Sequence, residues 1–245
     1  MLTRRQILIS ALTSFAGGAL LKKAKAASAK NEAHTHTKPS SKHQGRTHYT
    51  PVVTPNGRTL PYKMKNGVKE FHLIAEPVER EFAPGMKVKC WGYNGQTPGP
   101  TIEAVEGDRV RILVTNKLPE HTTIHWHGIF LPNGMDGVGG LNQPHIKPGE
   151  TYVYEFTLKQ NGTFMYHPHA DEMVQLAVGM MGFFIAHPQK PENPRIDRDF
   201  AIMLHQWAIQ PGTYRPDPAV MLDFNIFSFN SKVFPAIDHL VVKTN

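Results

Sequence analysis

An all-β chain folded as a Greek-key sandwich or barrel is the architecture this sequence predicts, on three observations. Apolar and polar residues alternate over several short runs, most clearly at Tyr152, Tyr154, Phe156 and Leu158 and at Val110, Ile112 and Val114. That period of two puts one face of a strand on a core. Gly 20 and Pro 20 in 245 residues favour a turn-rich chain over a helical one, and no segment carries a convincing helical period. Short strands at this spacing bury their apolar faces against a second sheet or by closing into a barrel.

Residues 1–26 read as an export signal. Thr3-Arg4-Arg5-Gln6-Ile7-Leu8 has the twin-arginine form, and Ala24-Lys25-Ala26 offers a small-residue cleavage site near Ala26. The apolar run Ile7–Leu21 is short for a membrane span and is broken by Gly17 and Gly18. Lys22, Lys23 and Lys25 after it suit the twin-arginine route, so a periplasmic chain without a stable membrane anchor is expected. Residues 27–58 are rich in Lys, Ser, Thr and Pro and poor in large apolar side chains, the composition of a flexible linker. His34, His36, His43 and His48 fall here, either solvated or able to capture loose metal.

The net charge of +7 resides in these two segments, +5 in residues 1–26 and +4 in 27–58, which leaves −2 for residues 59–245. A nucleic-acid role loses its main support. The single cysteine, Cys90, excludes an internal disulfide framework, and its strand-like setting Val88-Lys89-Cys90-Trp91 makes it a small buried apolar residue.

The candidate strands are Val68–Glu76, Lys87–Tyr93, Arg109–Thr115, Thr122–His127, Thr151–Leu158, Thr163–Tyr166 and Val178–Ala186. They define a first domain over residues 59–188. The proline-rich His187-Pro188 to Asn193-Pro194 stretch breaks the pattern, so 189–198 is expected as a linker. A new strand opens at Asp199. Pro235-Ala236-Ile237-Asp238-His239-Leu240 echoes Pro100-Thr101-Ile102-Glu103-Ala104-Val105 of the first domain, which marks 199–245 as the truncated start of a second copy. Three strands cannot close a sandwich of their own. His205, alone on an apolar strand, is expected to be structural.

Two His-x-His pairs stand out: His125-Trp126-His127 and His167-Pro168-His169. On a strand, residues i and i+2 share a side, so neighbouring strands would aim four imidazoles into one volume and Trp126 into the opposite face. Imidazole suits Cu, Zn, Fe and Ni, and neither pair contains a carboxylate, which weighs against a non-haem iron triad.

The flanking residues carry a resemblance. His125-Trp126-His127-Gly128 followed by Met135-Asp136-Gly137-Val138, and Tyr166-His167-Pro168-His169-Ala170-Asp171-Glu172-Met173 leading into Gly179-Met180-Met181-Gly182, resemble the first domain of multicopper oxidases from about Val68 to His187. The resemblance implies a cupredoxin-like sandwich over 59–188, followed by an incomplete second cupredoxin-like domain. It implies copper as cofactor, with His125 on the type 2 ion and His127, His167 and His169 on the type 3 pair. It implies that Asp136 supplies protons for oxygen reduction; the other use of Asp-Gly is to cap a turn. Asp171 and Glu172 are either partners of imidazole N–H groups or surface residues.

A blue copper needs a cysteine thiolate with two histidines. Pro168 and Met173 stand where such ligands would fall, so no type 1 site is expected here. The expected reaction oxidises a phenol, an amine or Cu(I) by single electrons and reduces dioxygen to water. The four histidines are half of the ligand set, the remainder being expected from a C-terminal domain or a partner chain. The chain alone is therefore expected to be incomplete as an enzyme. The competing reading is a periplasmic copper-sequestering module without turnover. The ten methionines are scattered and are read as core packing.

Overall fold

Alternation along the chain becomes burial on the two faces of a sheet. In the computed structural model, which describes residues 49–190 and 193–243, Val110, Ile112, Val114, Tyr154 and Phe156 are buried, while Arg109 and Thr157 on the same strands are exposed. The export signal and His34, His36, His43 and His48 lie outside the described residues.

In chain order the strands are β1 (Val52–Val53), β2 (Tyr62–Lys65), β3 (Val68–Ala83), β4 (Met86–Tyr93), β5 (Gly99–Val105), β6 (Arg109–Asn116), β7 (His125–His127) and β8 (Thr151–Thr157). After β8 come β9 (Gly162–His167), β10 (Gly182–His187), β11 (Asp199–Phe200), β12 (Leu204–Trp207), β13 (Ile209–Gln210), β14 (Arg215–Pro216) and β15 (Ile226–Phe229). One sheet runs β2-β3-β6-β8 with β4 also on β3, and a second runs β5-β10-β9-β7. Their inner faces share one core, in which Phe71, Ile112 and Tyr154 of the first meet Ile102, Trp126, Tyr166 and Phe184 of the second. Trp126 joins them, with its ring 5.2 Å from Tyr154 across the sandwich and 6.0 Å from Phe184. Truncating such a buried aromatic costs about 3–5 kcal/mol.

The fold class is as expected, with corrections in detail. A short helix, α1 (Glu172–Ala177), precedes β10, so the run from Val178 becomes strand only at Gly182. The expected Thr122–His127 strand is a bridge at Thr122 followed by β7. The end of the expected linker is packed instead. β1 pairs in parallel with β11, Val52 is buried, and its N–H donates to the buried Glu103 carboxylate. A two-residue strand needs little apolar content when it adds to existing structure and meets a buried acceptor.

The expected echo of Pro100–Val105 at Pro235–Leu240 has no counterpart in the structure, since residues 235–240 form no strand; a likeness between two antiparallel strand pairs lies earlier. Hairpin β3–β4 pairs Ala75 with Tyr93, and hairpin β12–β15 pairs Leu204 with Phe229. In each, the next residue is an Asn at positive φ (Asn94, Asn230) that docks on the facing segment. Asn94 accepts from the Ile74 N–H through Oδ1 and donates to His72 O; Asn230 accepts from the Met203 N–H and donates to Ala201 O. These partners lie at identical offsets from the paired residues. The burial differs. Ala75 and Tyr93 are in the core and Trp91 packs against it, whereas Leu204, Phe229 and Phe227 at the matching positions are exposed. The opposite face of β12 packs on the first sandwich, where Trp207 joins Phe82, Val88 and Cys90.

Candidate metal centre

β7 and β9 are antiparallel neighbours, and their register sets His125 opposite His167 and Trp126 opposite Tyr166. Trp126 and Tyr166 point inward and are fully buried, so the alternate positions carry the histidines to the other side of the sheet. His169 follows β9 by two residues. The rings of His125 and His169 are 5.2 Å apart and those of His125 and His167 5.3 Å, so all four expected ligands converge.

Ring nitrogens of His125, His127 and His167 all lie within 4.8 Å of one another. His127 Nδ1 and His167 Nε2 face each other at 3.2 Å. Nitrogens held ~2.0–2.1 Å from one ion in a tetrahedral shell sit roughly 3.3 Å apart. Two lone pairs so placed repel unless a proton or a cation lies between them. His167 Nδ1 is 2.9 Å from the Pro168 carbonyl, which can only accept, so the proton belongs on Nδ1 and the Nε2 lone pair is free. Burial holds the His167 imidazole below its ordinary range, and His125 and His127 push the same way, against the Pro168 carbonyl and Glu172. A neutral ring is the ligand form. The donor set, all imidazole with free lone pairs, fits copper.

Asp136 sits beside His125. The His125 Nδ1 is 2.9 Å from the Asp136 main-chain oxygen and 3.3 Å from Oδ1, which fixes the tautomer and leaves Nε2 for a metal. The Asp136 carboxylate is partly open to solvent. Gly137 makes this approach possible: a Cβ there would stand 2.0 Å from the Ile124 carbonyl oxygen, and its φ is +91°. Of the two acids after His169, Glu172 has Oε1 3.6 Å from His167 Nδ1. Helix α1 ties the second pair to the first, because buried Gln175 accepts from Thr122 Oγ1 and donates to His121 O, while Ala170 N–H donates to Thr123 Oγ1.

One histidine was not legible as special. His187 ends β10 and is buried with Nε2 2.9 Å from Glu103 Oε2. Thr59 and Val52 also donate to that carboxylate, and Tyr49 stacks on the imidazole at 3.7 Å. Burial, with the Glu103 charge beside it, pushes the Tyr49 phenol up to about 12. The only trace in sequence is an acid, Glu103, in the otherwise apolar strand β5. Cys90 is buried as expected, and burial raises its thiol to about 12, which disfavours the thiolate that a metal needs. His205 packs on Trp207, outside the site.

Residues 75–191 match the family model described as multicopper oxidase. Copper resistance protein A of Escherichia coli is 46% identical over 123 residues, covering 50% of this chain and 20% of that protein. L-ascorbate oxidase of Cucurbita pepo var. melopepo is 43% identical over 122 residues, covering 47% of this chain and 22% of that protein. Among solved structures, a multi-copper oxidase from Pseudomonas thermotolerans superposes with a TM-score of 0.63 at 33% identity, over 67% of this chain and 42% of that one. The chain thus spans about a fifth of the length of these curated relatives. With the converging histidines and the cupredoxin-like sandwich that holds them, these likenesses show that residues 75–191 form a domain of the multicopper oxidase family.

Proposed function

We propose that this chain is the first-domain part of an exported multicopper oxidase that couples one-electron oxidation of a phenol, an amine or Cu(I) to four-electron reduction of dioxygen to water. In this reading His125 holds the type 2 copper and His127, His167 and His169 the type 3 pair. The observation that carries it is the 3.2 Å approach of His127 Nδ1 to His167 Nε2 within a group of four converging imidazoles. Copper held by these histidines would supply the redox chemistry, passing electrons taken from the reducing substrate on to dioxygen. The chain's own residues do the rest. The Asp136 main chain orients His125, and its carboxylate carries protons from solvent toward the site. Trp126, fully buried behind the ligands, keeps water from the back of the sheet and fixes both flanking imidazoles.

The remaining ligands and the electron-entry copper come from a further cupredoxin-like domain or a partner chain. Residues 199–243 open such a domain. Support comes from the repeated Asn-docked hairpin, whose exposed Leu204, Phe227 and Phe229 occupy the register of Ala75, Trp91 and Tyr93 in the first copy. Export by the twin-arginine route rests on Arg4 and Arg5, which lie outside the described residues. Among the described residues no helix is long and apolar enough to cross a membrane.

The test is oxygen uptake and copper content of the protein purified from its own gene, with its intact mass. His127→Ala and His169→Ala should each abolish oxygen reduction; uptake retained in either removes the ligand assignment. Copper bound without any uptake in the parent would replace the oxidase by a sequestering module.

A further inference from the structure

We propose that His121 and His145 form a second, solvent-facing metal site, separate from the four-histidine centre and suited to Cu(II). The proposal stands on its own geometry and does not depend on the oxidase reading. Outside the centre, the described residues hold one further pair of imidazoles in contact, with ring centroids 4.4 Å apart and planes tilted by 40°.

The backbone presents this pair deliberately. Thr122 and Ile146 exchange both backbone hydrogen bonds, at 3.0 and 2.9 Å. Residues 121 and 145 flank that bridge as diagonal neighbours, which share one face and are within reach of ring side chains. His121 is held by its carbonyl, which accepts from the buried Gln175. His145 is seated on Gly139, where a Cβ would lie 2.0 Å from the ring Cδ2 and 2.3 Å from Nε2, so any other residue there displaces the ring. Both rings are exposed, and among the described residues neither makes a side-chain hydrogen bond or ion pair.

The other histidines outside the centre differ in kind. His72 bonds to Thr115, His187 to Glu103, and His205 is packed on Trp207. His239 is exposed and makes no ring contact, so among the described residues outside the centre His121 and His145 alone bring two imidazole rings together. Neutral imidazoles prefer borderline divalent ions, and among these Cu(II) binds most tightly. Water completes the coordination on the open side. The pair stands on the two segments that also carry His125 and Asp136, yet outside the group of converging nitrogens.

The experiment titrates metal-depleted full-length protein with Cu(II), reading copper content after gel filtration and the EPR spectrum. The parent should show a nitrogen-ligated Cu(II) signal, additional to that of the four-histidine centre, that His121→Asn and His145→Asn each remove. His127→Ala and His169→Ala should retain it. Unchanged copper uptake and spectrum in both Asn variants would overturn the site, as would loss of the signal in His127→Ala. In the unsubstituted protein, sub-stoichiometric Cu(II) should broaden the His121 and His145 ring NMR signals. Sharp signals for both rings would also overturn it.

Discussion

His167 and His187 end neighbouring strands of one sheet, and both are almost fully buried, yet they do opposite work. His187 meets a carboxylate: Glu103 Oε2 accepts a hydrogen bond from its Nε2 at 2.9 Å, and the carboxylate is satisfied further by Thr59 and Val52. His167 meets other imidazoles, and its Nε2 faces His127 Nδ1 at 3.2 Å. A histidine given a buried carboxylate becomes a tie between segments. A histidine given a carbonyl on one nitrogen and imidazoles on the other keeps a lone pair for metal. The difference lies in the partner, since strand position and burial are shared.

The comparison predicts that function and stability separate between the two ends of the sheet. The largest effect is at the centre. His127→Ala or His169→Ala should remove oxygen reduction altogether in the copper-loaded assembly while shifting the unfolding free energy of the metal-free protein by less than about 1 kcal/mol; a large loss of stability would make these residues structural like His187. Next, Asp136→Asn should retain copper, because the main-chain oxygen still orients His125, and should slow turnover on the order of 10²-fold. Unchanged turnover would leave Asp136 only as the turn residue before Gly137.

At the other end, His187→Leu leaves Glu103 buried with less compensation. It should lower stability by about 3 kcal/mol in chemical denaturation and expose residues 49–59 to proteolysis, with copper content unchanged. Loss of copper along with stability would erase the contrast. The smallest effect is at His205, a third histidine environment with no polar partner on its buried Nε2. Burial pushes this imidazole down to about 4 from 6.5. The unfolded chain therefore binds this proton first as pH falls. Its contribution is complete above pH 6.5 and is lost progressively down to pH 4, with roughly 2 kcal/mol gone by pH 5. His205→Gln should flatten that part of the stability profile between pH 7 and 5; an identical profile would mean the ring is not buried in solution.

The same contrast explains what could be read without coordinates. The paired His-x-His spacing was enough to expect four histidines on one side of the sheet, because side-chain alternation along a strand is a local property. It also placed Trp126 in the core. Asp136 was nameable from its neighbourhood, but its contact with His125 depends on Gly137 lying against Ile124. Glu103 and His187 are 84 residues apart, and no spacing rule links them. Helix α1 escaped notice because six residues carry too little period to register.

By itself, the sequence determined the all-β class, the strand faces and the two histidine pairs, all of which follow from periods and turn residues a few positions apart. Tertiary structure decided which histidines confront one another, which one is tied to a carboxylate, that residues 49–58 pack instead of linking, and that two strand pairs far apart in the chain are docked alike by Asn94 and Asn230. Those outcomes depend on register between strands far apart in the chain, and register is set by how two sheets close on a shared core.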